Sequence, residues 1–322
     1  MLRRRVLRTR GAAFSGTMVH LGILLNRCPC LRVLKVTGST PDITVHSATL
    51  QELDISSDHD TTCYNIDVVT PVLKKLQLKL HASWNWNNIS VSISTPMVEE
   101  VSWKCSYPRL AFSVGFWSLE SLAIETTERY IDTRNDTCSQ VQKLSRFHVL
   151  RLPISCTTNH LGAQLNFARE IQKLPVIIFP VLELYFISSG HVYGALVMHL
   201  LQINRIHSST KMLKVIQWLC PKVRQTCQEN CRCDEPNNWR SQSISLTCLE
   251  ELEITGFNAE DHEHDFVRLI LRSAPMLKRV TLTLVHEFRG CPMKIYNIFL
   301  AHRSVNCYVY NSTGELVPRA SR

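Results

Sequence analysis

The sequence predicts an α/β solenoid, on three observations: one short apolar phrase recurs along the chain, its copies are regularly spaced, and each alternates with period two. The phrase is a leucine, two other residues, a leucine, one other residue and an apolar residue. It reads Leu31-Arg-Val-Leu34-Lys-Val36, then Leu50-Gln-Glu-Leu53-Asp-Ile55, Leu73-Lys-Lys-Leu76-Gln-Leu78, Leu119-Glu-Ser-Leu122-Ala-Ile124 and Leu249-Glu-Glu-Leu252-Glu-Ile254. Degenerate copies stand at Val98-Glu-Glu-Val101-Ser-Trp103, Phe147-His-Val-Leu150-Arg-Leu152 and Leu277-Lys-Arg-Val280-Thr-Leu282. The interval between central residues is 19 from Leu34 to Leu53, then 23 to Leu76, 25 to Val101, 21 to Leu122 and 28 to Leu150. That is the period of leucine-rich repeats, in which each copy supplies one strand of a horseshoe.

The alternation sends the apolar residues of each strand to one side, and the first leucine closes the same core from the entering turn. One such strand is not stable alone. Each buried leucine contributes roughly 1.5–3 kcal/mol, whereas ordering each residue costs roughly 1–2 kcal/mol of backbone entropy. Stacking on neighbouring copies is what covers both faces of a repeat. The chain is expected to return on the outer side as helix or irregular turn, with helices at 19–25 and 266–271. Between Leu152 and Leu249 the phrase is recognisable only near Val181-Leu-Glu-Leu184 and Leu213-Lys-Val-Ile216. Insertions or extra helices are expected there, one of them spanning 193–206.

The formal charge of +9 over 322 residues sits at one end. Residues 1–41 carry Arg3, Arg4, Arg5, Arg8, Arg10, Arg27, Arg32 and Lys35, with no acid before Asp42. Basic and acidic residues nearly cancel in the remainder. With no basic stripe interleaved with aromatics, nucleic-acid binding is not expected. Met1 to Thr17 has the composition of a mitochondrial transit peptide. The pattern runs straight on through Leu21 and Cys28, which favours a remnant of an earlier repeat. No secretory signal is read and no apolar run approaches the length of a membrane span. Cytoplasm or nucleus is therefore the expected location, no membrane partner is expected, and the sequons at Asn88, Asn135 and Asn311 are expected to be idle.

Thirteen cysteines without a secretory signal argue against a disulfide framework. Cys105, Cys156, Cys291 and Cys307 sit in apolar phrases and read as small core residues. Cys220, Cys227, Cys231 and Cys233 are dense enough to hold zinc, but their spacing lacks the C-x2-C pairs that bring two sulfurs to one ion. A reduced, partly exposed loop is the favoured reading, with no metal and no cofactor. Asp261-His-Glu-His-Asp265 concentrates titratable groups, yet five consecutive helical residues radiate; its acids are expected to complement the helix dipole. No nucleophile elbow, phosphate loop or H-E-x-x-H helix is present in the sequence, so no catalytic residue is expected and the chain does not read as an enzyme. Trp84, Trp86, Trp103 and Trp117 are either anchors for a partner or fillers of gaps between irregular repeats.

In the last third, Cys231-Arg-Cys-Asp-Glu-Pro-Asn-Asn-Trp239 is followed by Ile244-Ser-Leu-Thr-Cys-Leu-Glu-Glu-Leu-Glu-Ile-Thr-Gly-Phe257. Asp261-His-Glu-His-Asp-Phe266 and Ile270-Leu-Arg-Ser-Ala-Pro-Met-Leu-Lys-Arg-Val-Thr281 come next. The run resembles an FBD domain: strand, Gly-Phe turn, acidic entry, helix ending near Ala274-Pro275, second strand. With its repeats, the chain resembles the plant F-box proteins that carry leucine-rich repeats and a C-terminal FBD domain. It departs at Asn258-Ala259, where relatives tend to have glycine. The organisation expected is a basic segment at 1–17, irregular leucine-rich repeats at 18–235 and an FBD domain at 236–322. The resemblance implies the substrate-recognition part of an SCF-type (cullin-based) ubiquitin ligase. A Skp-type adaptor would be a partner only through an F-box, for which residues 1–30 contain nothing similar. The alternative is a ligase-independent interaction scaffold or decoy receptor. The expected partner is a protein held on the strand face, with Lys35, Asp54, Gln77, Ser102 and Ala123 as candidate contacts because they alternate with the core leucines.

Overall fold

The computed structural model describes residues 6–10, 25, 27–38, 42–57, 65–81, 90–107, 113–114, 117–131, 143–156, 167–176, 178–187, 190–217, 231–235, 237–285 and 293–318. They form two compact units: 1–112, 120–150 and 163–177 make the first, and 113–119, 151–162 and 178–322 the second. Strands dominate both. In chain order they are β1 (Val6–Arg10), β2 (Val33–Thr37), β3 (Asp42–His46), β4 (Glu52–Ser56), β5 (Asn65–Val69), β6 (Lys75–His81), β7 (Ser90–Ser94), β8 (Glu100–Ser106), β9 (Ser113–Val114), β10 (Trp117–Leu119), β11 (Ser121–Ile131) and β12 (Lys143–Cys156). After helix α1 (Phe167–Gln172) come β13 (Val181–Phe186), α2 (Gly194–Leu201), α3 (Asn204–His207), β14 (Met212–Gln217), β15 (Glu251–Phe257), α4 (Asp261–Ser273), β16 (Arg279–Leu284), α5 (Met293–Leu300) and β17 (Asn306–Tyr310). No helix among the described residues is long and apolar enough to cross a membrane.

In the first unit the repeated phrases build a parallel ladder, β1-β2-β4-β6-β8, with the central leucines in one register: Leu34, Leu53, Leu76 and Val101 are cross-strand neighbours. All four are buried, as are the entering Leu31, Leu50 and Leu73. Each copy is tied to the one before by a shared acceptor. The Arg32 carbonyl accepts from the amides of Gln51 and Glu52, that of Gln51 from Lys74 and Lys75, and that of Lys74 from Glu99 and Glu100. The chain returns between these strands not as helix but as a second parallel ladder, β3-β5-β7. The reason lies in Asp42-Ile-Thr-Val-His46, Asn65-Ile-Asp-Val-Val69 and Ser90-Val-Ser-Ile-Ser94, whose β-branched residues alternate with polar ones and so favour a half-buried strand over a helix. Ile43, Ile66 and Val91 stand in one row, and Val45, Val68 and Ile93 in the next.

The ladder reverses at β11, which pairs antiparallel to β8, Ile124 opposite Trp103 and Leu122 opposite Cys105. Tyr107 donates its amide to Glu120 O at 2.9 Å and closes the pair. Of the two helices expected early in the chain and in its middle, 19–25 lies almost wholly outside the described residues. The expected 193–206 helix is two, α2 and α3, separated where Ile203 turns extended.

The second unit has its own parallel ladder, β13-β14-β15-β16-β17, with Leu182, Leu213, Leu252, Val280 and Cys307 in register. The shared acceptors recur at Pro180, Lys211 and Glu250, and the Lys278 carbonyl accepts from Asn306. β10 pairs antiparallel with the end of β12, Trp117 opposite Cys156. Trp117, Phe186, Tyr193 and Phe266 make a chain of edge-on and tilted rings 5.0–5.3 Å apart. After β17 the side chain of Asn311 accepts from the amides of Thr313 and Glu315 and folds a turn. The returning tail then pairs Leu316 with Tyr310, and Val317 donates to Val309 O at 2.8 Å. Tyr296 OH, from α5, donates to Val317 O at 2.7 Å.

Candidate functional site

Period-two strands leave every second side chain on the outer face of each ladder, and register assembles these into rows. In the first unit Lys35, Asp54, Gln77 and Ser102 form one such row across β2, β4, β6 and β8. All four are half-buried, and Lys35 Nζ lies 3.1 Å from Asp54 Oδ2. Ala123 does not continue the row. The reversal of β11 sets it opposite Lys104 and puts Glu125 beside Ser102, and Ala123 is only 8% exposed.

The parallel register of β6 and β8 extends past the repeated phrase and pairs the residues that follow it. Lys79 and Lys104 are direct cross-strand neighbours, both exposed. Neither has an acidic partner among the described residues, and like charges placed opposite each other repel. On the flanking row Lys75 Nζ lies 3.2 Å from Glu100. Arg146 of β12 reaches Glu128 at 2.6 Å and Glu99 at 3.4 Å. The two lysines are thus an uncompensated basic point beside Lys35 and Lys75, which are paired with acids.

The second unit presents a comparable face. Glu183, Lys214, Glu253, Thr281 and Tyr308 share a row. Arg151 Nε donates to Glu183 at 2.8 Å and Lys214 Nζ lies 3.2 Å from Glu253. The adjacent row is Tyr185, Ile216, Thr255, Thr283 and Tyr310. Tyr308 and Tyr310 stack with centroids 6.4 Å apart. This face is less charged and more aromatic than the first. The alternation in β13 to β17 could have shown it.

Behind the ladder, Asp234 and Trp239 anchor the segment that precedes β15. Trp239 is fully buried, its Nε1 donates to Asp234 Oδ1 at 2.7 Å, and its ring lies over Gly194 so closely that a Cβ there would sit 2.4 Å from it. Arg240 forks onto Asp234 at 2.8–2.9 Å and onto Asp265 of α4 at 3.0 Å. Helix α4 opens with a capping box: Glu263 accepts from the amides of Asn258 and Glu260 at 2.9 and 3.0 Å and from Gln217 Nε2 at 2.6 Å. Burial pushes the Glu263 carboxyl up to about 7 against the pull of those donors. The remaining side chains of the acidic cluster diverge. Asp261 faces Lys294, His262 meets the Tyr193 ring, His264 meets Phe257, and Asp265 takes Arg240 and Arg268.

Of the expected anchors, Trp103 and Trp117 are buried packing residues, while Trp84 and Trp86 lie outside the described residues. Cys105 is buried as expected, with its thiol pushed up to about 12 by burial, but Cys156 is exposed. Cys220, Cys227 and Cys291 lie outside the described residues. Cys231 precedes and Cys233 lies within one turn of 3-10 helix, Arg232–Asp234, and both meet the loop before α2: Cys231 Sγ is 3.5 Å from His191 Nδ1, and Val192 N donates to Cys233 Sγ at 3.3 Å. His191 carries no repeat or motif signal, and sequence reasoning passes over it.

The FBD family model matches residues 245–282, which is β15, α4 and most of β16 with their approach. No curated protein and no solved structure matches the chain.

Proposed function

We propose that the protein is the target-binding portion of a ubiquitin-ligase receptor of the SCF type, holding a protein on the outer face of its parallel strands. The observation that carries this reading is the FBD match at 245–282. The matched strands are two rungs of a ladder that β13 and β14 begin and β17 ends. Such ladders support the assignment to irregular leucine-rich repeats, with the departure that β11 is antiparallel. On this reading the chain binds and does no chemistry of its own, and Lys35, Asp54, Gln77 and Ser102 contact the target. Lys79 and Lys104 add a demand for an acidic group on that target, since a carboxylate between them relieves their repulsion.

The test is precipitation of the protein tagged at its own locus, followed by mass spectrometry of what accompanies it. A Skp-type adaptor together with a recurrent protein partner supports the receptor reading. Recovery of the same partner without adaptor replaces it with a ligase-independent scaffold. Lys79→Glu/Lys104→Glu and the combined Lys35→Ala/Gln77→Ala/Ser102→Tyr variant should each weaken partner recovery at least tenfold with the fold intact by circular dichroism. Unchanged recovery from both removes the first unit's face from the recognition surface.

A further inference from the structure

We propose that His191, Cys231 and Cys233 form a zinc site in the second unit. Their three ligand atoms all lie within 4.8 Å of one another, and His191 Nδ1 is 3.5 Å from Cys231 Sγ. Tetrahedral zinc holds thiolate sulfur at about 2.3 Å and imidazole nitrogen at about 2.0–2.1 Å. Across the tetrahedral angle those lengths separate sulfur from nitrogen by about 3.6 Å and two sulfurs by about 3.8 Å. The His191–Cys231 pair already has that separation, and the widest pair the cluster allows closes by about 1 Å to reach it.

The donor chemistry agrees with the geometry. One imidazole and two thiols are a donor set that zinc takes. The Val192 amide aimed at Cys233 Sγ stabilises a thiolate there, and ligand atoms held by such outer hydrogen bonds are the ones metals select. Two thiolates neutralise the dication, so the half-buried site carries no net charge. Asp234, the nearest carboxylate along the chain, is not a donor, because Trp239 and Arg240 occupy its oxygens. The three donors leave one tetrahedral position for solvent or a further ligand.

The ion would fasten the loop before α2 to the 3-10 turn Arg232–Asp234, which lies 40 residues further on. That turn carries Asp234, and through it Trp239 on Gly194. The site would therefore hold the segment entering β15 against α2. The C-x-C spacing on its own is poor for zinc; His191, distant in sequence, is what completes it. The inference does not depend on what the sheet faces bind.

The test uses the full chain, prepared reduced and metal-free, titrated with Co2+ and then with Zn2+. The expected result is one Co2+ per chain, with thiolate-to-cobalt charge transfer and tetrahedral d–d bands that Zn2+ abolishes. His191→Gln and Cys231→Ser should each lower Co2+ affinity on the order of 100-fold, because even outer-shell losses cost roughly 10–100-fold. Cys233 is left intact, since its burial makes substitution a test of folding instead of binding. The metal-free variants should match metal-free wild type in circular dichroism and Tm, so that lost colour reports the ligand. Two results overturn the proposal. One is no stoichiometric Co2+ uptake by wild type, which leaves a thiol–imidazole hydrogen bond and nothing more. The other is colour that survives both single variants and disappears in the Cys220→Ser/Cys227→Ser double variant.

Discussion

Glu263→Gln tests the physics of the FBD helix more sharply than any other single substitution. Glu263 is 1% exposed, and its folded carboxyl titrates at about 7 against an ordinary value of 4.5. Between those values the folded state holds a proton that the unfolded state has released, so stability falls as pH rises through the window and levels off above it. From pH 5 to pH 8 the loss is about 2.5 kcal/mol for a carboxyl moved from 4.5 to 7. An amide at this position has the same shape and no titration. Its oxygen accepts from the amides of Asn258 and Glu260, and a flipped Gln217 accepts from its nitrogen. The histidines His191, His199, His262 and His264, held below their ordinary values by partial desolvation, tilt the pH profile the opposite way, but they do so in both proteins. The quantity to measure is therefore the difference in urea-unfolding free energy between Glu263→Gln and wild type at pH 5, 6, 7 and 8. It should move in favour of the variant by about 2.5 kcal/mol across that range. A flat difference refutes the raised carboxyl. A difference that moves the other way shows that the three donated hydrogen bonds outweigh burial.

Gly194→Ala should cost about 1–3 kcal/mol, because the new methyl would lie 2.4 Å from the Trp239 ring; a fall in Tm with red-shifted tryptophan emission checks it. Gly256 sits at φ +82° with its virtual Cβ 2.8 Å from Gln217 O, at the register shift between Thr255 and Phe257. Gly256→Ala should therefore lose about 2 kcal/mol in urea unfolding from backbone strain and overlap together. At pH 8 iodoacetamide should modify exposed Cys30 and Cys156 in the native protein and leave Cys105 unlabelled until urea unfolds it, since its thiol titrates at about 12; peptide mass mapping reads the order of labelling.

The leucine phrases foretold the strands β2, β4, β6, β8, β15 and β16, because burial of alternate residues is written directly into composition. Even the weak copies at Val181 and Leu213 are strands in register. Direction is not written there. A period-two pattern reads the same whether the strand runs parallel or antiparallel, so nothing in Leu119 to Ile124 separates β11 from its parallel counterparts. That one reversal is why Ala123 is buried beside Lys104 while Glu125 takes the expected place. The strands β3, β5 and β7 were legible from Ile43, Val45, Ile66, Val68, Val91 and Ile93, but short alternating runs are overshadowed by the leucine pattern on either side. A turn signal was also present. Cys28-Pro29, Thr70-Pro71, Thr95-Pro96 and Ala274-Pro275 each begin a turn closed by an amide three residues on, at Leu31, Leu73, Val98 and Leu277, with proline supplying the second turn position. His191 was illegible for a different reason. A ligand 40 residues from its partners belongs to no local pattern, and only the folded chain brings it there.

The tail beyond β17 has a consequence for assembly. A strand at the margin of a sheet ordinarily exposes a row of amides and carbonyls that another chain can add to, in aggregation or in peptide capture. Here Leu316 and Val317 double back along Tyr310 and Val309, and Tyr296 fastens them, so the outer half of β17 has already received its added strand from its own chain. A peptide seeking to extend the ladder at that half must first displace this built-in occupant and forfeit the hydrogen bonds it makes. Shortening the chain to Asn311 would leave those amides and carbonyls free and should raise self-association above that of the full chain, with light scattering as the readout.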